Sequence, residues 1–278
     1  MTEVHTYSAG EAGLLVNAYL VETDQGVVAI DGTLTASDSR ALRSRIDSLG
    51  KPLLGVLLTH AHPDHVAGIA NLLDDSGAPV VALESVRDLM RATEEAKHAQ
   101  WGPVFGDEWI PRWVYPDRLV EDGEALTFDG VSFRVYEVGP GGDCDANSVW
   151  VLEDERAAAF VGDLVFNGTH SYIADGRVLR WLANIERFRA LLEGVATLYP
   201  GHGRAGGIEL LDAQKNYLLA YCAAVLEVAG DGAATDEQAK EELAGTMRRV
   251  LPGAPLEFMI GLSADAVAAE LNGKDATQ

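Results

Sequence analysis

Leu53-Leu54-Gly55-Val56-Leu57-Leu58-Thr59-His60-Ala61-His62-Pro63-Asp64-His65 runs from an apolar stretch straight into three imidazoles and a carboxylate. A strand ends at Thr59, and Pro63 keeps the chain from continuing as sheet, so the four polar side chains fan out of one loop. Neutral imidazole and carboxylate are the donors that zinc, iron and manganese accept. A polar loop that merely opens a helix, with Asp64 near the N-cap of Val66 to Leu73, accounts for the aspartate. It does not explain why three of the chain's seven histidines fall within six residues.

Around this loop the composition is that of a soluble globular enzyme: 278 residues, 47% hydrophobic and 23% charged, enough for a sizeable core. We read residues 1–278 as a single domain. No stretch approaches the roughly 18 to 20 apolar residues of a membrane span, and Met1-Thr2-Glu3-Val4-His5 lacks the basic start of a signal peptide. The expectation is a cytoplasmic protein with no membrane partner. Cys144 and Cys222 are too few for a disulfide framework and are expected to be reduced. With 43 acidic against 21 basic residues the formal charge is -22, which repels nucleic acid at long range. That leaves a small molecule as the expected substrate, with the acidity serving solubility.

Upstream of the loop, Leu14 to Glu22 and Val27 to Ile30 read as two strands joined at Thr23-Asp24-Gln25-Gly26, with glycine where a positive φ is wanted. Ser37 to Leu49 reads as a helix ending at Gly50. Downstream, Val80 to Leu83 is a short buried strand and Glu84 to Lys97 a mostly exposed helix. Residues 98–118 hold Trp101, Trp109 and Trp113 among Pro103, Pro111 and Pro116. This stretch is too rich in proline for a long helix and is expected to be an irregular lid. Its aromatic residues could line an apolar cleft, cap the core or form a homodimer contact.

Short strands return from Leu119 to Leu152, divided by Asp122-Gly123, Asp129-Gly130 and the glycine-rich turn Gly139-Pro140-Gly141-Gly142. A hairpin is expected across Glu153-Asp154-Glu155-Arg156. Helices are expected at Leu179 to Leu192, Ile208 to Val228, Asp236 to Val250 and near Ser263 to Leu271, so that residues 206–272 form a helical carboxy-terminal part. The alternation predicts an α/β protein with two mixed β-sheets face to face and helices outside, a four-layer αββα sandwich.

Two further segments put metal-binding residues at strand ends. Phe160-Val161-Gly162-Asp163-Leu164 offers a carboxylate, and Leu198-Tyr199-Pro200-Gly201-His202-Gly203 an imidazole. The order His-x-His-x-Asp-His, then Gly-Asp, then Pro-Gly-His-Gly resembles the metallo-β-lactamase superfamily over residues 14 to 203. The resemblance implies the αββα sandwich and two divalent metal ions, zinc first, with manganese or iron as alternatives. By position, His60 and His62 would bind the first metal, Asp64, His65 and His202 the second, and Asp163 would bridge them. The family's further histidine, in a Gly-His-Thr or Gly-His-Ser turn, is missing here. Asp143 falls nearest its place, with Cys144 and Asp145 as substitutes. A carboxylate there lowers the net charge of the site by one and makes it more tolerant of manganese or iron. Asp31, at the end of Val27 to Ile30, resembles the family's acid that steadies the first loop.

The resemblance implies a hydrolase in which metal-activated water attacks an ester, thioester or lactone carbonyl. Asp64 would orient the nucleophile or carry its proton, and Tyr172 would donate to the developing oxyanion. A core tyrosine that only packs is the plainer reading of Tyr172, and His170 reads as a solvated or core histidine. Competing readings are an iron-dependent oxidoreductase of the same fold and a non-catalytic metal-binding partner protein.

Overall fold

The computed structural model describes residues 2–154, 157–175, 177–230 and 234–273. It divides into two compact units. One is built from the chain up to Glu137 together with Ser148–Gly162, the other from Val138–Asn147 and the chain from Asp163 onward.

The first unit contains a six-stranded sheet in chain order, made of β1 (Glu3–Ser8), β2 (Asn17–Glu22), β3 (Val27–Ile30), β4 (Leu53–Leu57), β5 (Val80–Leu83) and β6 (Arg118–Val120). The first three strands pair antiparallel and the last three continue in parallel from β3. Parallel strands are covered on both faces, and every residue of β3 and β5 is buried. Strand β1 escapes the sequence reading because it is an edge strand of mixed exposure and lacks an apolar run. The strand expected from Leu14 is shorter at its start, because Leu14 and Leu15 both take positive φ in a tight turn between β1 and β2.

Gly26 closes the β2–β3 hairpin for a reason other than the expected one. It does not have positive φ, and a Cβ placed on it would come within 2.3 Å of the Leu54 side chain. Close approach of β4 demands the glycine. Helix α1 (Ala36–Ser48) is capped by Thr35, whose side chain accepts from Asp38 N at 3.1 Å, and stops before Gly50 at φ 66°.

Helix α4 (Glu84–Phe105) runs through Pro103, further than proline content suggested. Pro103 lies in the last turn and forgoes its own ladder bond, and aromatic packing holds that turn in place. Trp109 Nε1 donates to His98 Nδ1 at 3.0 Å, and the Phe105 and Trp109 rings stack with centroids 6.0 Å apart. Glu94 accepts from Trp113 N at 3.2 Å and from the Tyr115 hydroxyl. The irregular stretch is therefore residues 109–117, braced along α4 with Trp109 and Trp113 buried.

The second sheet has the order β11-β10-β9-β8-β7, formed by β7 (Ala125–Phe128), β8 (Val131–Gly139), β9 (Asn147–Leu152), β10 (Ala158–Asn167) and β11 (Thr197–Gly203). Asp129 and Gly130 both take positive φ in the two-residue turn between β7 and β8, as an Asp-Gly hairpin requires. Strands β9 and β10 pair antiparallel as expected, while Glu155 and Arg156 of the connecting turn lie outside the described residues.

In the second unit, α6 (Glu209–Ala229) packs against α5 (Val178–Leu191), α7 (Glu237–Val250) and α8 (Phe258–Leu271). Asp236 caps α7 by accepting from Ala239 N at 2.8 Å. Helix α8 begins five residues before Ser263. That serine is no cap, and its hydroxyl instead accepts from Ile173 N at 2.9 Å in the core. Helices thus flank two β-sheets, and no described helix is long and apolar enough to cross a membrane.

Candidate metal centre

Strand β4 delivers Thr59 and His60 from its carboxyl end, and Pro63 then sits at the first position of a one-turn helix, α2 (Pro63–Val66). His62 precedes that helix, Asp64 occupies its second position and His65 its third. All four donors are buried, with His60 and His65 at 0% exposure. Burying that many imidazoles and a carboxylate is costly unless each is paired or bound to a metal.

Asp31 organises them. It follows β3 with φ 59°, a left-handed conformation that aspartate tolerates better than most residues. Its Oδ1 accepts from Thr59 N at 2.7 Å, and its Oδ2 accepts from Thr59 Oγ1 at 2.6 Å and pairs with His65 Nδ1 at 2.9 Å. The Thr59 hydroxyl proton is thereby spent on Asp31, so the same oxygen accepts from His60 Nδ1 at 3.0 Å. With Nδ1–H engaged on both rings, each Nε2 carries the lone pair a metal needs. Donor atoms of Asp31, His60 and His65 lie within 4.8 Å of one another.

The backbone of this loop is fixed from several sides. Gly32 N donates to His65 O at 2.7 Å and Gly68 N to Thr33 O at 2.8 Å, just before α3 (Ile69–Leu73). Ser148 N donates to Thr59 O at 2.7 Å, and Trp150 Nε1 to Leu58 O at 2.9 Å. Gly162 has φ 49°, and a Cβ there would stand 2.7 Å from Thr59 Oγ1. The glycine before Asp163 therefore makes room for the hydroxyl that orients His60.

In the second unit, Asp163 lies inside β10 and His202 near the end of β11, both almost fully buried. Asp163 Oδ2 is 3.3 Å from His202 Nε2, and the Phe166 ring stacks on the imidazole at 4.9 Å and 5°. Gly203, at φ 90°, is demanded by its neighbour: a Cβ would sit 1.8 Å from Asn167 O. Asn167 Nδ2 in turn donates to Arg204 O at 2.7 Å, tying β10 to β11.

The glycine-rich turn separates its three candidates. Asp143 is 1% exposed. Cys144 is also buried, with its thiol 3.5 Å from Ala146 O. The Asp145 side chain is 49% exposed and ion-paired with Arg177 Nε at 2.9 Å. Asn184, which sequence reasoning did not single out, clamps the turn by donating from Nδ2 to Gly141 O at 2.8 Å and Pro140 O at 3.1 Å. Nothing in a lone asparagine on a helical stretch signals that role.

His170 is a core histidine with Nδ1 3.0 Å from the Tyr217 hydroxyl, and burial pushes its pKa down. The Tyr172 hydroxyl donates to Asp175 Oδ1 at 2.9 Å, three residues away, which engages the proton an oxyanion contact would use.

The donor chemistry fits a divalent ion. His60, His62, Asp64 and His65 in one unit and Asp143, Asp163 and His202 in the other are buried nitrogen and oxygen donors of the borderline-to-hard kind that zinc, manganese and iron accept.

The family model described as "Metallo-beta-lactamase superfamily" matches residues 12–202, and the chain belongs to that family. It is similar to the "Uncharacterized protein YobT" of Bacillus subtilis, at 46% identity over 116 residues, covering 40% of this chain and 48% of the relative. It is also similar to a "Hydroxyacylglutathione hydrolase" of Prochlorococcus marinus, at 26% identity over 173 residues, 62% of this chain and 59% of the relative. Among solved structures, the "Metallo-beta-lactamase from Pontibacter korlensis" shares the fold at a TM-score of 0.61 and 23% identity, covering 79% of this chain and 99% of that one. The chain spans about half the length of the curated relatives it matches.

Proposed function

We propose that this member of the superfamily is a metal-dependent hydrolase that cleaves an ester, thioester or lactone carbonyl of a small molecule. The observation that carries the reading is the Asp31 carboxylate, which through His65 directly and His60 by way of Thr59 sets two neighbouring imidazoles with Nε2 free of protons. An imidazole pair held in that tautomer is built to ligate. The family motif supports assigning His60, His62 and Asp143 to one metal ion and Asp64, His65 and His202 to a second, with Asp163 shared, and zinc as the ion. Burial of Asp143 against exposure of Asp145 favours the former in the turn.

Bound divalent ions would supply activated water at neutral pH and polarise a carbonyl. The chain's own residues do the rest. Asp31 and Thr59 keep both imidazoles in one tautomer and rotamer. Asp64, on the first turn of α2, holds the proton of the attacking water and passes it to the leaving group. Buried walls around the donors exclude bulk water from the polar contacts, which strengthens them.

The relative named as a hydroxyacylglutathione hydrolase makes an acyl thioester the first substrate class to test. Purified protein is assayed for metal content and for turnover of acyl thioesters and lactones, before and after chelation and zinc repletion. Thioester or lactone turnover that is lost on chelation and restored by zinc is expected. Two equivalents of bound metal with no hydrolysis of either class would support the non-catalytic reading, and oxygen consumption by iron-loaded protein the oxidoreductase.

A further inference from the structure

Beside α3 and the braced stretch that follows α4 lies a cavity of about 510 Å³, lined by Ala70, Ile110, Pro111, Arg112, Trp113 and Val114. Its volume falls in the range of small-molecule sites, roughly 300 to 1,000 Å³. Its walls are almost wholly carbon, with Arg112 at the rim, and they are preformed. Trp113 is 3% exposed with its backbone N held by Glu94, and Ile110 is 8% exposed. Rigid walls lose little entropy on binding.

Arg112 is the informative member. It is exposed and makes no hydrogen bond or ion pair with any described residue. Arg43, Arg87, Arg134, Arg177, Arg189 and Arg248 each hold an acid. Arg189 and Arg248 also line cavities and each holds an acid there, whereas Arg112, at the rim of this apolar one, holds none among the described residues.

We propose that this cavity is a binding site for an apolar carboxylate, with the hydrocarbon portion against Ile110, Trp113 and Ala70 and the anionic head on the Arg112 guanidinium. The head and tail follow from the two chemistries that meet there: a guanidinium prefers a planar two-oxygen anion, and the remaining lining offers a ligand no polar group. A neutral ligand would leave the cation unused, and a cationic one would be repelled by it. The site lies within the first unit and does not depend on the hydrolytic reading.

Isothermal titration of the full chain with octanoate, 1-octanol and octylamine tests this. Octanoate is expected to bind one per chain and more tightly than 1-octanol, with octylamine weakest. Arg112→Ala should weaken octanoate about tenfold while leaving 1-octanol unchanged, and Arg112→Glu should invert the preference toward octylamine. Ala70→Leu fills the cavity and should remove the heat of both ligands, with circular dichroism and thermal melts confirming that the variant is folded. Absence of saturable octanoate binding overturns the proposal. So does octanoate binding that survives Arg112→Glu and Ala70→Leu but is lost on chelation, because the carboxylate would then be sitting on bound metal.

Discussion

Asp31 Oδ2 meets His65 Nδ1 at 2.9 Å across 34 residues of sequence, and the same oxygen takes the Thr59 hydroxyl. One carboxylate thus holds the protonation pattern of two imidazoles, and the first prediction concerns its loss. Asp31→Asn keeps a side chain that tolerates positive φ but removes the charge and one acceptor. It should lower metal affinity by roughly 10-fold to 100-fold and destabilise the fold by about 1 to 3 kcal/mol. Asp31→Ala adds left-handed strain of about 1 to 2 kcal/mol. Chelator competition and urea denaturation measure the two effects, and wild-type metal affinity in Asp31→Asn would remove the anchoring role.

Burial decides between the acids of the glycine-rich turn. Asp143→Ala should release about half of the bound metal, whereas Asp145→Ala should release none and cost no more than about 1 kcal/mol, since its Arg177 pair is exposed. Elemental analysis after gel filtration reads this directly. Equal metal loss in both variants would contradict the assignment of Asp143. Asp143→His, which restores the donor the family usually has, should shift metal preference from manganese toward zinc.

Two glycines that look alike in the sequence should behave differently. At Gly203 a Cβ would overlap Asn167 O at 1.8 Å, so Gly203→Ala should cost on the order of 4 kcal/mol or prevent folding. At Gly139, with φ 71° and open space around it, Gly139→Ala should cost only about 1 kcal/mol of backbone strain. Comparable denaturation midpoints for the two variants would mean that β10 and β11 do not need the close approach.

His170 gives the pH prediction. Burial lowers its pKa, so between the folded and unfolded values the unfolded chain binds more protons. Stability from this group is therefore present above about pH 6.5, the unfolded value, and is lost as pH falls through the folded one. The slope is positive and at most about 1.4 kcal/mol per pH unit. His170→Gln should flatten the difference in melting temperature between pH 7.5 and pH 5. An unchanged pH dependence in the variant would assign the acid sensitivity elsewhere.

Local chemistry carried much of this protein into its sequence. The apolar run into His60, His62, Asp64 and His65 announced a strand delivering donors. Asp129-Gly130 announced a hairpin turn, Asp236 a helix cap and Gly50 a helix end, because each depends on neighbours a few residues away. Other features were illegible for an equally physical reason. Pro103 reads as a helix breaker, and only packing by Trp109 and Phe105 shows why α4 continues through it. Gly26 reads as a turn glycine, yet the side chain of Leu54 is what requires it. Ser263 reads as a helix start and is instead a core acceptor for Ile173.

The sequence alone determined which residues have metal-binding chemistry and that strands deliver most of them, since donor type and hydropathy pattern are properties of adjacent residues, although Asp163 proves to lie within β10 and not at its end. Tertiary structure alone decided which nitrogen of each imidazole is presented, that Asp143 is sealed from solvent while Asp145 is not, and that Asn184 clamps the turn between β8 and β9. Tautomer, burial and clamping come from groups tens of residues apart, and no spacing along the chain encodes such a meeting.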